Sequence, residues 1–459
     1  MNILESCNFQ NQYNFFEEYE KTNVFRSQEE LKIYFEKLDQ EIFNSSWRKS
    51  MGYIPDGFKS RTILTIYGAV TFKRRVYKYW NNNKYKHIFL VDKKLQINKY
   101  SRVSSHLKFK VLEQIACGKR QRDICDMFYH ANLSRATISN LIQSVELSEP
   151  LNLIFDDIEK IKIPKHLYIN MDETFVKLWI KKKMKKYRIR LVTFHTGYNK
   201  FYSTEKRKVL DNKRVYWVLV PVNSKINTAE FMADVEKMAN KFYSNVNQVD
   251  TIIGGDGAPW IRNSPEYFPN SFYVLDKFHA CRYLKRLFPT RKNELNVKQY
   301  ENNKTIFETG NHEFLISNLK QSIIKPEKNQ KLKEIVRYFQ NNKLGITNQS
   351  LEWNIGVSAE GDISHIVKWL LGYGSKAFNY KTFNNMLLLR TAQINNLDIL
   401  TYLKNDYQRE HEHEKRFYWS SYWIKTNNDF YDYPCQGSLP GATLGKGKSK
   451  WINGLLNQK

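Results

Sequence analysis

The hydrophobic periods of this chain predict a multi-domain α+β protein. A β-hairpin region and a helical region come first, followed by an α/β domain on a mixed sheet that carries a helical insertion. Three observations lead there. Alternation of period two with a glycine break runs from Arg61 to Tyr79, helical spacing with internal breaks fills Ser104 to about Glu146, and beyond Ile163 three strand-like segments precede alternating helix and strand. The 459 residues are enough for several cores.

Taken in order, residues 1–26 are aromatic and acidic without a clear period. Ser27 and Glu30 are spaced as a capping box, and Leu31, Tyr34, Phe35, Leu38 and Ile42 share a face, which predicts a packing helix that starts at Ser27. The hairpin pairs Thr62–Tyr67 with Val70–Tyr77 across Gly68. Its second arm sets Lys73, Arg74, Arg75 and Lys78 among aromatic residues, as a phosphate contact or as a charged, solvated edge. The helical stretch breaks at Gly118 and at Ala131-Asn132-Leu133, and its last two segments have the pattern of a helix-turn-helix. Ile124, Met127 and Phe128 form one inward face; Ser134 caps a second helix whose Ile138, Leu141 and Ile142 point back, with Leu133 and Ile138 as a staple. Arg135, Thr137, Ser139 and Asn140 are then left to face a DNA groove, although helix pairs of this kind also serve proteins that touch no DNA.

Ile163-Pro164-Lys165 reads as a boundary. Beyond it, strands are expected over His166–Ile180, Tyr187–Tyr198 and Arg214–Val222, a helix over Asn227–Phe242, then strands Asp250–Gly255 and Phe272–Leu275. The lysine-rich run 181–186 is expected to be a turn, at the active edge or its far end, and a solvated hairpin tip is the first account of it. A meander followed by parallel strands joined through helices is the order of a ribonuclease-H-like fold. From Leu284 to about Gln349 the chain is charged and helical, an insertion whose lysines and arginines could hold DNA. The expected segments are a helical region 1–60, a hairpin region 61–103, a helix-turn-helix region 104–160, the core in two parts at 161–283 and 351–400 around an insertion at 284–350, and a basic tail 401–459.

A formal charge of +27 biases the chain toward polyanions, with nucleic acid first and an anionic membrane surface as competitor. No apolar run approaches the roughly 20 residues that span a bilayer, and the N-terminus lacks the order of a signal peptide, so a soluble, cytoplasmic protein is expected. Cys7, Cys117, Cys125, Cys281 and Cys435 are scattered, which supports neither a disulfide framework nor a zinc site.

Three acids stand at positions that suit phosphodiester chemistry. Asp172 lies in a strand centre beside Ile169, Met171 and Phe175; Asp256 follows the apolar run that ends in Gly254-Gly255; Glu360 opens an apolar helix. A buried strand-centre acid is costly unless it is neutral or binds a cation, whereas Asp256 has the simpler reading of a cap for the helix at Pro259. Shared hard oxygen ligands suit two Mg²⁺ ions about 4 Å apart, for which Mn²⁺ can substitute. Glu173 and Asp362 are neighbouring acids that compete for the same roles, and His365 suits support rather than ligation.

Met171-Asp172-Glu173, Gly255-Asp256-Gly257-Ala258-Pro259-Trp260-Ile261, Leu275-Asp276-Lys277-Phe278-His279 and Ala359-Glu360-Gly361 with Ile363-Ser364-His365 together resemble the DDE transposases of bacterial ISLre-type insertion sequences. The likeness covers the chain from about residue 60 onward and extends, more distantly, to the Mutator-like group. It implies Asp172, Asp256 and Glu360 as the catalytic metal ligands, with Asp276 and His279 as an accessory pair, although Asp276 also reads as a helix cap. One departure is Gly374-Ser375-Lys376-Ala377-Phe378, where the family pattern has a Ser-Arg-Pro run. The implied protein is a nucleoid-associated bacterial transposase that binds the terminal inverted repeats of its element and target DNA, acting as a homo-oligomer on DNA. A structure-selective nuclease of the same fold and a catalytically silent DNA-binding regulator are the alternatives.

Overall fold

The computed structural model describes residues 9–81, 84–145, 159–205, 207–290, 294–322, 328–372, 378–398, 400–401 and 403–404. Residues 373–377, most of the acidic segment 147–159 and the basic tail from 405 lie outside the described residues. The chain forms two compact units, residues 1–146 with 400–459, and residues 147–399. No described helix is long and apolar enough to cross a membrane.

The first unit is built on one helix of 36 residues, Phe9–Asn44. It passes through Ser27 without a start, because the Ser27 hydroxyl donates to the Asn23 carbonyl at 2.9 Å instead of capping. Phe35, Leu38 and Ile42 pack on Ile63, Phe72 and Val91, as their spacing predicts, whereas Tyr34, expected on the same face, stands 57% exposed. Strands β1 (Ile54–Thr65), β2 (Gly68–Asn81) and β3 (Lys84–Ile88) form an antiparallel sheet in that order, and β1 begins seven residues before the hairpin expected from Arg61. Ile66 and Tyr67 make the turn, and Gly68, at φ 108°, opens β2 opposite Thr65. After the helix Ser105–Ala116, the segments Gln121–Met127 and Arg135–Gln143 form a helix pair joined through Asn132 in the left-handed region. Ser134 caps the second helix, and Leu133, Ile138 and Ile142 are buried, whereas Met127, expected to point inward, is 47% exposed.

The second unit is a mixed sheet ordered β6-β5-β4-β7-β8, from β4 (His166–Ile180), β5 (Lys183–His195), β6 (Arg214–Pro221), β7 (Asp250–Gly255) and β8 (Ser271–Leu275), with the short β9 (Phe378–Asn379) on β4. The β4-β5-β6 portion is antiparallel and β4-β7-β8 is parallel. Helix Thr228–Phe242 crosses from β6 to β7 and buries Phe231, Met232, Val235 and Phe242, the face its spacing predicts. The lysine turn is tighter than its sequence suggests. Only Lys181 and Lys182 leave the strands, both at positive φ, and Lys183–Lys186 belong to β5. The region between β8 and Glu360 is helical over Glu294–Glu308, His312–Gln321, Asn329–Asn341 and Lys343–Thr347. Its end seals the β8 edge: Asn348 and Gln349 donate side-chain amides to the Tyr273 and Leu275 carbonyls at 2.8 and 2.7 Å.

Candidate functional site

Register assembles the site. Met171 of β4 pairs with Gly255 of β7, and Gly255 pairs with Leu275 of β8. The next residues, Asp172, Asp256 and Asp276, therefore stand side by side at one edge of the parallel strands, and the Asp276 amide donates to the Gly255 carbonyl at 2.8 Å. Close packing demands the glycines. A Cβ on Gly254 would lie 2.5 Å from the Val357 side chain and 2.9 Å from Asn170 Oδ1, and one on Gly255 would meet the Met171 carbonyl at 2.8 Å.

Asp172 is 5% exposed, and its Oδ1 accepts the Glu173 amide at 2.6 Å. Burial pushes its carboxyl up to about 7, against the pull of the Glu173 amide, with the charges of Asp256 and Glu360 adding to the rise. Asp256 Oδ1 accepts the Ala258 amide at 2.9 Å, and its carbonyl accepts the Tyr338 hydroxyl at 2.7 Å. The cap position of the helix Pro259–Arg262 is Ala258, so Asp256 is not that helix's cap. Asp276 does two things: Oδ1 caps the helix Lys277–Leu287 through the Phe278 amide at 3.0 Å, while Oδ2 pairs with His279 Nδ1 at 2.7 Å. Burial alone would lower the His279 pKa. Its hydrogen bond and charge pairing with Asp276, together with the charges of Asp172 and Asp256, raise it above the ordinary imidazole value.

Glu360 begins a helical run, Ala359–Asp362, that continues as a π-helix over Ile363–Lys368, an irregularity frequent at functional sites. Its Oε1 accepts the Lys368 ammonium at 2.8 Å. The two competing acids are already engaged: Glu173 with Arg190 at 3.2 Å and Arg188 at 3.7 Å, and Asp362 with Lys213 and, at 2.9 Å, the Ser358 hydroxyl. His365 is exposed on the helix. The seam around Glu360 also contains residues that sequence reasoning missed. Asn170 donates to the Ser358 hydroxyl at 2.9 Å and lies 3.0 Å from the buried His195, tying the turn before Glu360 to the strand of Asp172. Asn170 precedes Asp172 by one strand period, the signal that could have found it.

Among the described residues no three His, Cys, Asp or Glu side chains converge closely enough to hold a metal ion. The donor chemistry nevertheless fits a hard divalent cation, since a carboxyl pushed up by burial, with two carboxylates adding to the rise, is relieved by positive charge.

Of Lys73, Arg74, Arg75 and Lys78, Lys73 stands exposed, while Lys78 is partly buried and pairs with Asp56 at 3.1 Å. Arg74 is buried and paired with Asp92, which also binds Arg61 at 2.8 Å, and Arg75 pairs with Asp39 at 2.6 Å and with Gln40. The expectation that Lys73, Arg74 and Arg75 all reach outward is corrected for Arg74 and Arg75, whose charge serves the fold of the hairpin. On the second helix of the pair, Arg135 and Asn140 are exposed; Thr137 bonds Ser134 at 2.9 Å, and Ser139 accepts from Gln143 at 3.1 Å.

The sequence model of an uncharacterised protein family, UPF0236, matches residues 16–398. Similar proteins come from Caldanaerobacter subterraneus subsp. tengcongensis. The UPF0236 protein TTE2489 is 26% identical over 386 residues, covering 81% of this chain and 76% of its own length. A second, whose name joins eleven designations from TTE0033 to TTE2212, is 28% identical over 380 residues, covering 81% and 75%. A third, named with four designations from TTE0610 to TTE2432, is 26% identical over 379 residues, covering 79% and 74%.

Proposed function

The chain belongs to UPF0236, an uncharacterised protein family, and from that premise we propose that it is a DDE transposase, a polynucleotidyl transferase that cleaves and joins DNA strands of an insertion sequence. The observation that carries this reading is the pairing register that sets Asp172 beside Asp256 at one strand edge, with the turn before Glu360 tied to the same strand through Asn170 and Ser358. The strand order β6-β5-β4-β7-β8, a meander followed by two parallel strands, supports a ribonuclease-H-like core. A relative that bears eleven designations in one bacterium supports a mobile origin, since an element that copies itself leaves its protein at many places.

In this reading water first attacks the phosphodiester at an element end and releases a 3′-hydroxyl, which then attacks target DNA by the same in-line displacement. Two Mg²⁺ ions, or Mn²⁺ in their place, held by Asp172, Asp256 and Glu360 would activate the attacking oxygen and neutralise the leaving one. The chain supplies the rest. Asp276 holds His279 through Nδ1 and favours the protonated imidazole, and Nε2 is left to donate to a phosphate oxygen. Lys368 steadies Glu360, and Tyr338 fixes the backbone of Asp256. The helix pair Gln121–Met127 and Arg135–Gln143 would read the terminal repeats as a helix-turn-helix, with Arg135 and Asn140 toward the groove. Two or more copies would hold both element ends, in the cytoplasm on the nucleoid.

The test is strand transfer by purified protein with Mg²⁺, a labelled duplex carrying the ends that flank its gene, and a plasmid target. Joined products that fall to background in Asp256→Ala are expected. Cleavage without joining would instead make it a nuclease, and tight binding without cleavage in Mg²⁺ or Mn²⁺ a silent regulator.

A further inference from the structure

The β4-β5 ribbon outruns the rest of the sheet. Parallel pairing of β7 with β4 ends at Met171, one residue before Asp172, and β6 accompanies β5 only as far as Tyr187. Beyond those points β4 and β5 pair with each other, with β9 touching only Leu178 and Trp179. Eight residues of β4 follow Asp172, a reach of about 25 Å at the rise of an extended strand.

The two faces of this ribbon differ. Val176, Leu178 and Tyr187 are buried, and Tyr187 packs its ring 5.2 Å from that of Tyr380. The other face alternates cations with large apolar groups: Lys177 and Lys186 are exposed, while Phe175, Trp179 and Met184 stand 48%, 42% and 48% exposed. Lys181, Lys182, Lys183 and Lys185 complete the tip, and no acidic side chain among the described residues pairs with any of these six lysines.

Two features of the ribbon work against its own stability. Lys177 lies directly opposite Lys186, and like charges in that relation repel. The two-residue turn holds Lys181 at φ 45° and Lys182 at φ 63°, positions that Asn and Gly fill most easily. The repulsion falls away when a polyanion lies along the ribbon, because phosphates bridge opposed lysines, of which Lys186 now rests 4.5 Å over the Phe175 ring. The backbone cost of the turn remains, offset by the attraction of its charges to phosphate.

We propose that this ribbon is a docking surface for double-stranded DNA, taking the phosphate backbone along the stretch of β4 and β5 beyond Asp172, on the face opposite that carboxyl, while Phe175 and Trp179 rest against the sugars. The proposal rests on the transposase reading for the identity of the polyanion and adds the surface that holds it. It is independent of the helix pair in the other unit.

The test separates turn stability from DNA affinity. The double variant Lys181→Asn with Lys182→Gly gives the turn its favoured residues and removes two charges. Binding of a fluorescein-labelled duplex is followed by anisotropy at several salt concentrations, with melting temperature measured alongside. A raised melting temperature, roughly tenfold weaker duplex binding and a log-log salt slope smaller by about 2 are expected. Lys298→Gln with Lys320→Gln removes the same charge from the insertion and is expected to leave the slope in place.

Equal loss in both double variants, or unchanged binding in the ribbon variant, would overturn the proposal. So would a preference for single-stranded DNA that Trp179→Ala abolishes, which would make the ribbon a base-stacking platform. If the wild type joins strands while the ribbon variant binds normally, the ribbon fails and the transposase reading stands. If the wild type binds DNA tightly and salt-dependently through the ribbon but neither cleaves nor joins, the ribbon stands without the transposase.

Discussion

A buried carboxyl in a strand centre is the most demanding single residue of this chain. Because the fold raises the Asp172 pKa from 3.8 to about 7, it favours the protonated form. That contribution is fully present below pH 3.8 and is lost as pH rises through about 7. In the presence of a chelator at pH 8, Asp172→Asn should therefore stabilise the protein by about 2–4 kcal/mol, and the gain should vanish below about pH 4. Urea melts across that range measure it; a variant less stable than wild type at pH 8 would mean that the carboxylate already has a compensating partner. The oddity of Asp172 was legible from its apolar neighbours alone, whereas the pair of Asp276 with His279 came from the family resemblance, the residues themselves reading equally as a helix cap. That Arg74 and Arg75 would be absorbed by Asp92 and Asp39 was not, because both partners lie distant in sequence and ion pairing across elements leaves no periodic trace.

Between elements, what matters is how the Glu360 helix is held against β4. Asn170, buried, joins the Ser358 hydroxyl and His195, and Ser358 in turn bonds Asp362. Asn170→Ala should cost about 1–3 kcal/mol, the usual penalty for orphaned buried polar groups. It should also slow strand joining more than it weakens DNA binding, since it loosens one wall of the site. Urea melts and a comparison of joining rate with duplex affinity test this, and loss of both in equal measure would point to general unfolding. Strands and crossover helices were readable from periods of two and 3.6 because each buries one face. Element ends were less so: β1 starts at Ile54 across Gly57, and Ser27, shaped like a cap, sits inside a helix. The seam at Asn170 depends on a partner 188 positions away, which no local pattern encodes.

At the scale of the chain, two units with separate cores predict two separable responses. Mg²⁺ at pH 8 should raise the melting transition of the unit spanning residues 147–399 by an amount that grows with concentration, about 2.7 kcal/mol at a hundredfold excess over Kd, and Asp256→Ala should abolish the shift. Calorimetry reads it, and a rise that persists in the variant would place the cation elsewhere. The sealed edge of the sheet carries a consequence of a different kind. An open β8 would offer its carbonyls to any other extended chain, the usual seed of aggregation. Asn348 and Gln349 occupy the Tyr273 and Leu275 carbonyls from within the same molecule, so those two acceptors are closed to a neighbouring copy in a crowded solution.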